Sequence, residues 1–351
     1  MKKLTKISLV VFAISAMASS AFAGALSISG SAKASYTISG GQQTAQKGIG
    51  IGNEFTLGAA GELDNGYTWS YAMDLDPAAG GVVNNDDAAL TVGTPYGTVG
   101  IFVSEGGLQT DYGWGTGALG KGSDFASPMS MVYGANISDY NNIQYHTPAD
   151  MLPFGIGLKV GYVPNMSATT MLSAKESDAT ITAQSTGRNL TQGQISLSPI
   201  DGLTIKGDAA QTSNETGTNI STEEGVSANL GAKYTMGQLS VGYSEGGHQP
   251  AVATGELTYF ENKFYGIQFD VNDQLSVSYN VDESDSNARN AVAATATAGT
   301  TTIVGMEQKS IQLAYTTGGA TIGIAQVEVD NADYTDSKKE NQTVFSLGIS
   351  F

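Results

Sequence analysis

Alternation between apolar and polar positions is the strongest pattern in the chain, and it is clearest in the last ten residues, QTVFSLGISF. Phe345, Leu347, Ile349 and Phe351 occupy every second position, with small or polar residues between them. Successive side chains of a β-strand point to opposite faces, so this segment predicts a strand with one apolar face and one polar face. An uncovered apolar strand invites aggregation. The pattern therefore favours a strand whose apolar face meets lipid and whose edges are paired.

A partner for this strand lies near the start of the chain, at residues 26–38. Here Ala32, Ala34 and Tyr36 alternate with Lys33 and Ser35. Pairing of the first and last strands would close a sheet into a barrel, and only helices and closed barrels satisfy all backbone polar groups in lipid.

The rest of the chain repeats the same alternation of apolar and polar positions. The connections between successive strands are alternately tight turns and long polar segments. Examples of the turns are residues 64–66 (DNG) and 94–97 (TPYG), whose residue types favour hairpins. We count about sixteen strands, seven short turns and eight longer loops, which predicts an all-β, transmembrane antiparallel barrel. In the fifteenth strand the apolar positions change parity between Ile324 and Val327, which predicts a bulge near Ala325.

Residues 1–23 have the features of a secretory signal peptide. Lys2, Lys3 and Lys6 precede a short apolar core, and residues 21–23 (AFA) form a cleavage site. The apolar stretch is shorter than the roughly 20 residues that span a membrane as a helix. We expect a leader at 1–23 and one barrel domain at 24–351.

Composition narrows the class of function. Glycine is abundant, at 45 of 351 residues, and cysteine is absent, which leaves no disulfide and no thiol chemistry. The formal charge is −17, and loss of the three leader lysines makes it −20. So acidic a chain is a poor partner for nucleic acid.

Together, the leader, the alternating strands, the TPYG turn, a long third loop (104–140) and the terminal Phe351 resemble the general porins of Gram-negative bacteria, and most closely those of the alphaproteobacteria. The resemblance implies a homotrimer in the outer membrane, with the third loop folded into the lumen to narrow it. It also implies passive diffusion of small hydrophilic solutes and ions. The implied partners are outer-membrane lipid and lipopolysaccharide, together with the barrel assembly machinery, for which Phe351 would be the signal.

Charged residues of the third loop and of the inner wall are the candidate site. A constriction needs glycine for turns and charge to act on permeating ions. The loop candidates are Glu105, Asp111, Asp124 and Lys121. Strand parity assigns to the lumen wall Lys33, Glu54, Asp74, Lys159, Lys206 and Lys233. Porins of this type carry an arginine cluster opposite the acidic loop, whereas here Arg188 and Arg289 both lie in loop-like sequence. We therefore expect a negative field and a preference for cations.

Other motifs do not favour a different chemistry. Residues 115–121 match the start of a phosphate-binding loop, but Gly122 stands where such loops have Ser or Thr. His146 and His248 are far apart in sequence and no nucleophile motif accompanies them, so we predict no enzyme activity, no cofactor and no metal. Residues 330–336 are acidic without a calcium-loop pattern, and a solvated loop is the simpler interpretation.

Two rival functions stay open at this stage. One is a substrate-specific channel in the same barrel, which would need a binding track in the lumen. The other is a secreted β-rich adhesin, against which the apolar terminal strand argues.

Parity also predicts how the strands face. We expect the outer face to include Phe55, Tyr71, Leu158, Leu230, Val277 and Leu347. Ser346 is expected to face the lumen, where an introduced charge should be tolerated.

The terminal aromatic residue should be required for assembly. Deletion of Phe351, or Phe351→Asp, should leave the chain unassembled in the periplasm, where proteolysis removes it. The measurement is the amount of folded oligomer in extracted outer membranes. Wild-type amounts in both variants would contradict this role.

Overall fold

The fold is a single closed antiparallel barrel. The computed structural model describes residues 25–42, 46–77, 83–110, 116–121, 131–148, 151–166, 188–213, 224–251, 259–286 and 303–351. Within these ranges sixteen strands pair in chain order, and β16 returns to pair with β1. This confirms the predicted fold class and strand number. Among the same residues, no helix is both long and apolar enough to cross a membrane.

The strand bounds follow the predicted alternation of short turns and long loops. The strands are β1 (Ala25–Gly41), β2 (Gln46–Glu62), β3 (Thr68–Pro77), β4 (Val83–Thr94), β5 (Gly97–Val103), β6 (Asn142–His146), β7 (Gly157–Val163), β8 (Leu190–Leu197), β9 (Leu203–Thr212), β10 (Gly225–Met236), β11 (Leu239–Gln249), β12 (Phe260–Asp270), β13 (Leu275–Ser286), β14 (Val304–Thr317), β15 (Ala320–Asp330) and β16 (Lys339–Ser350). Short 3₁₀ turns lie at Ile137–Asp139, Pro153–Gly155 and Ala332–Tyr334.

The seam of the barrel lies between the two ends of the chain. Pairing runs from Ser31 opposite Ser350 to Gly41 opposite Glu340. Beyond the ladder, Gly30 N–H donates to Phe351 O at 2.8 Å and Phe351 N–H donates to Gly30 O at 3.0 Å. The Phe351 ring also meets Phe55 edge-on, with centroids 5.7 Å apart. The last residue is therefore part of the closure.

The outer face is apolar and exposed, as the alternation predicts. Leu230 is 61% exposed, Leu347 48%, and Phe55 and Leu158 39% each, while Tyr71 and Val277 are partly covered by their neighbours. The opposite face carries buried polar residues, among them Asn229, Ser278 and Ser346. A closed barrel has one face outside and one inside, so the polar face is the inner wall.

The predicted bulge near Ala325 is wrong. β15 pairs without a register shift with both β14 and β16. Val327 and Val329 lie on the inner face, where they are 0% and 3% exposed, and Gln326 and Glu328 point outward. The sequence change reflects an apolar patch on the inner wall, which Met131 of the third loop covers. The described register shift lies instead in β3, between Met73 and Leu75.

Several strands are longer at their loop ends than alternation of apolar residues indicates. β11 continues through Gln249, six residues past its last apolar side chain with regular alternation, Tyr243, and β13 runs to Ser286, five residues past Val281. Outward positions there are charged: Glu245 lies opposite Lys263, which in turn lies opposite Glu283. Backbone pairing with neighbouring strands continues past the apolar band, so hydrophobic periodicity underestimates the strand length.

Ser346 faces the inside of the barrel, as predicted, but it is too closely packed to tolerate an introduced charge. Ser346 is only 9% exposed and lies beside Gly323, against which Leu119 of the third loop packs. Gly348 shares the same inner face, and a Cβ added there would meet nothing within 4 Å. We expect Leu347→Arg to cost about 2–4 kcal/mol of stability, because it puts a charge into lipid. Gly348→Arg should cost far less.

The free energy of unfolding of both variants is measured by titration with urea. The folded fraction at each concentration is read from the difference in electrophoretic mobility between folded and unfolded protein. Equal losses of stability at these adjacent positions would contradict the assignment of faces.

Candidate functional site

Strand register places the predicted wall residues on the inner face. Lys33 lies opposite Gly52 and Gly348, Glu54 opposite Ser31, and Asp74 opposite Thr56. On the other side of the barrel, Lys159 lies opposite Gln194, Lys206 opposite Ser196, and Lys233 opposite Thr204. All six charged residues therefore lie on the inner wall.

The first part of the third loop, residues 104–110, hydrogen-bonds to the inner wall. Gln144 of β6 donates to Gly106 O at 2.6 Å, and Gln194 of β8 donates to Leu108 O at 2.7 Å. Thr110 N–H donates to the Asp208 carboxylate of β9. Backbone groups of this segment therefore find their partners in side chains of the strands, as buried backbone groups require.

Asp208 is the most connected of these anchors. It is 6% exposed, and its carboxylate accepts hydrogen bonds from Thr110 N–H, Gln192 Nε2 and Asn229 Nδ2. A buried carboxylate needs such donors to offset its lost hydration. The donors on two strands and on the loop hold Asp208 in one orientation.

The middle part of the loop, residues 116–121, reaches β11 to β14. Ala118 N–H donates to Ser278 Oγ at 2.9 Å. Gln312 of β14 accepts from Leu119 N–H at 2.8 Å and donates to Gly120 O at 2.9 Å. Because side chains of the wall occupy the N–H groups of Ala118 and Leu119, this glycine-rich segment does not offer them to a phosphate.

A close approach of the loop explains two glycines of the wall. Thr116 is fully buried, and a Cβ on either Gly242 or Gly266 would collide with its side chain. These glycines face each other across β11 and β12. Because neither residue has a side chain, the two glycines leave the space that Thr116 occupies.

The last part of the loop, residues 131–141, returns along the same wall. Val132 N–H donates to Tyr334 Oη at 3.1 Å, and Asn262 of β12 donates to Val132 O at 2.9 Å. Ile137 N–H donates to Gln192 Oε1 at 3.0 Å. The loop's described parts thus have hydrogen bonds to inner side chains of β6, β8, β9, β12, β13 and β14, and Met131 also packs on β15.

Among the acidic candidates, Glu105 lies in a cluster of like charges. Its carboxylate and those of Asp74 and Asp87 offer oxygens within 4.8 Å of one another. Burial and then the charge of Asp74 raise the pKa of Glu105 above its usual value of 4.5. Carboxylates at this spacing could share a divalent cation, although the raised pKa needs no ion to explain it.

Of the other loop candidates, Lys121 follows Gly120 at the end of the middle segment and is partly exposed. Asp111 and Asp124 lie outside the described residues. Alternation did not single out the loop anchors Gln192, Gln194, Asn262, Ser278, Gln312 and Tyr334. Gly242 and Gly266 are a local signal for a loop contact, because glycines on the inner face leave space for another segment to pack.

Comparison with known proteins gives likeness in structure without likeness in sequence. No protein-family model and no curated protein matches the chain. The anion-selective porin from Comamonas acidovorans has a TM-score of 0.68 and 13% identity, over 93% of this chain and 100% of its own. The trimer form of OmpT from Vibrio cholerae has a TM-score of 0.61 and 11% identity, over 94% of this chain and 100% of its own. OmpF of Salmonella typhi, in complex with daunomycin, has a TM-score of 0.59 and 11% identity, over 93% of this chain and 98% of its own. At such identities the likeness shows the sixteen-stranded fold alone.

The loop anchors make the structure testable. In Gln312→Ala the N–H of Leu119 loses its acceptor, and an unsatisfied buried group costs about 1–3 kcal/mol. We expect amide hydrogen exchange at Leu119 to speed up about tenfold or more. Gln326→Ala on the outer face of the neighbouring strand is the matched control and should leave that rate unchanged. An unchanged rate in Gln312→Ala would contradict the anchoring role.

Proposed function

We propose that the chain is an outer-membrane porin, a water-filled channel for passive diffusion of small hydrophilic solutes and ions. The observation that carries this proposal is a closed barrel whose outer face is apolar and exposed while its inner wall is polar. A soluble protein would cover such an outer face, whereas a bilayer solvates it. A secreted adhesin fits this surface poorly.

The location follows from the same surface and from the sequence. We propose that residues 1–23 are a cleaved signal peptide and that 24–351 form the mature barrel in the cell outer membrane. Outer-membrane lipid and lipopolysaccharide would then contact the apolar band. The barrel assembly machinery would recognise the strand that ends at Phe351. An alphaproteobacterial origin of the family stays a prediction.

The third loop is proposed to lie inside the barrel and to narrow it. Its described parts contact β6 and β14, which are eight strands apart in the ring of sixteen. A single segment that bonds to the inner faces of opposite walls has its shortest path through the interior. This supports a constriction in which Glu105 is held near the wall by the Gly106 contact.

A homotrimer is proposed from the exposure of the first two strands. Ile28 is 66% exposed, Ile49 86% and Ile51 73%, and all three are on the outer face. The trimer form of the Vibrio cholerae protein OmpT, whose fold is similar to that of this chain, supports this assembly.

We propose no catalytic role for the histidine of the inner wall. His146 Nε2 lies 2.7 Å from Gln144 Oε1, so its hydrogen-bond partner is an amide and not a nucleophile.

Cation preference is proposed from the balance of charge. The acids Asp74, Asp87 and Glu105 lie together, and the whole chain is strongly acidic. Fixed negative charge around a narrow aqueous path attracts cations and repels anions. The wall lysines at 33, 159, 206 and 233 oppose this field, and their strands, β1, β7, β9 and β10, differ from those of the acids.

The test is the reversal potential of the reconstituted channel in a KCl gradient. We expect potassium selectivity that weakens as salt rises, because the Debye length falls from about 10 Å at 0.1 M to about 3 Å at 1 M. Neutralisation of Glu105, Asp111 and Asp124 (E105Q, D111N, D124N) should reduce it. The control E283Q, E307Q, E328Q makes the same charge change at outward positions and should not.

The pH dependence identifies the part due to Glu105. Its pKa is raised, so its charge should be lost at a higher pH than that of an ordinary carboxyl. Selectivity should therefore begin to fall as pH drops through that raised value, and E105Q should remove this step. An anion-selective potential in the unmodified channel would contradict the proposal on selectivity, and absence of any channel would contradict the porin itself.

A further inference from the structure

The connection between β15 and β16, residues 331–338, forms a strap on the inner side of the barrel. Ala332 at its start is fully buried, in an apolar cluster that also contains Met131 of the third loop. Tyr334 packs against the same cluster, and the centroid of its ring lies 5.7 Å from that of Phe260 on β12. The strap therefore contacts the third loop as well as the strands of the wall.

A circuit of hydrogen bonds joins the strap to the third loop. Val132 N–H donates to Tyr334 Oη at 3.1 Å, and Val132 O accepts from Asn262 Nδ2 at 2.9 Å. Ser284 Oγ lies 2.5 Å from Asn262 Oδ1 and 2.6 Å from Tyr334 Oη. An amide oxygen only accepts, so Ser284 donates to Asn262. The Tyr334 hydroxyl in turn donates to Ser284, and one circuit holds both backbone groups of Val132.

The circuit is shielded from water. Asn262 and Ser284 are each 1% exposed. Loss of one member leaves a buried donor or acceptor without its partner, which is costly. The sheet fixes the third-loop anchors on β6, β8, β9, β12, β13 and β14, whereas the position of Tyr334 depends on the strap.

The backbone of the strap is strained. Four of its eight residues have φ between +53° and +62°, namely Asn331, Asp333, Tyr334 and Ser337. Residues with a side chain adopt this region at a cost, and it persists only where other contacts hold it. Lys338 supplies such contacts, because its Nζ lies 2.6 Å from Asp333 Oδ2 and 3.1 Å from Glu340 Oε1. Loss of these ion pairs should favour a relaxed strap.

We propose that the strap holds the third loop in its conducting position and that Tyr334 is the residue that positions it. Release of Tyr334 takes from Val132 one of its two partners, and the movement of the loop that follows interrupts the current. The ion pairs of Lys338 set how often the strap is released. The effect on current rests on the proposed porin function, whereas the hold on the loop does not.

Tyr334→Phe tests the hydroxyl, since it keeps the ring and removes only the oxygen. We expect amide hydrogen exchange at Val132 in the folded, detergent-solubilised protein to speed up about tenfold, because a buried hydrogen bond is lost. Closing events of the reconstituted channel in KCl should become about threefold more frequent or more, for the same reason. Tyr265→Phe is the matched control. Its hydroxyl donates to Glu283 between the same two strands, β12 and β13, but on the outer face, and neither rate should change.

Lys338→Met separates a strap from a single anchor, because Lys338 acts on Val132 only through the fold of the strap. We expect both rates to rise, as in Tyr334→Phe. Lys339→Met is the matched control: it removes the neighbouring charge, which pairs with Asp330 at 2.8 Å on the outer face, and should leave both rates unchanged.

Exchange at Val132 tests the strap without any assumption about conduction. Unchanged exchange in Tyr334→Phe or in Lys338→Met would overturn the hold of the strap on the loop, and each variant decides this independently of the other. Faster exchange with an unchanged frequency of closing would overturn the role of the strap in conduction. Absence of any conductance in the unmodified protein would refute the porin function, and the exchange rates would still decide whether the strap holds the loop.

Discussion

Complete backbone pairing is the constraint on which the rest of this structure depends. A sheet in lipid cannot leave an edge unpaired, because no water replaces the missing hydrogen bonds. The chain meets this condition at its ends, where β1 pairs with β16 and Gly30 and Phe351 exchange backbone hydrogen bonds. The aromatic side chain of Phe351 then packs on Phe55, which joins the seam to the apolar band. Closure fixes which face of every strand is outside.

The inner wall serves as a set of anchors as well as a polar surface. The third loop has backbone groups that need partners, and amide side chains of the wall such as Gln144, Gln194 and Gln312 supply both donors and acceptors. Apolar packing adds to this at one place, where Met131 meets the inward valines Val327 and Val329. The same wall therefore combines specific hydrogen bonds with a local apolar patch, and the two together hold the described parts of the loop.

Charge selectivity is separate from the fold. A barrel backbone carries little net charge, so the charged side chains on its inner wall set the field that permeating ions meet. What differs between channels is the set of charged side chains around the narrowest part. In this chain the carboxylates of Asp74, Asp87 and Glu105 lie together, and lysines lie on other parts of the wall.

The sequence by itself determined the barrel. Strand parity depends only on the two-residue period of a β-strand, and so Leu230 and Leu347 could be assigned outward and Asp208 and Lys233 inward without a structure. Turn residues and the terminal aromatic residue completed that picture. Parity failed where the inner wall is apolar, at Val327 and Val329, because a local pattern cannot tell lipid from a packed interior.

Only the tertiary structure decided what the inner wall contacts. Gln192, Asn262 and Gln312 are ordinary polar residues in their strands, and the third-loop groups that they bond to lie from 55 to 193 positions away in the chain. Likewise, Val132, Ser284 and Tyr334 share one set of hydrogen bonds although no spacing in the sequence relates them. Register and closure bring such residues together, and both are properties of the whole sheet.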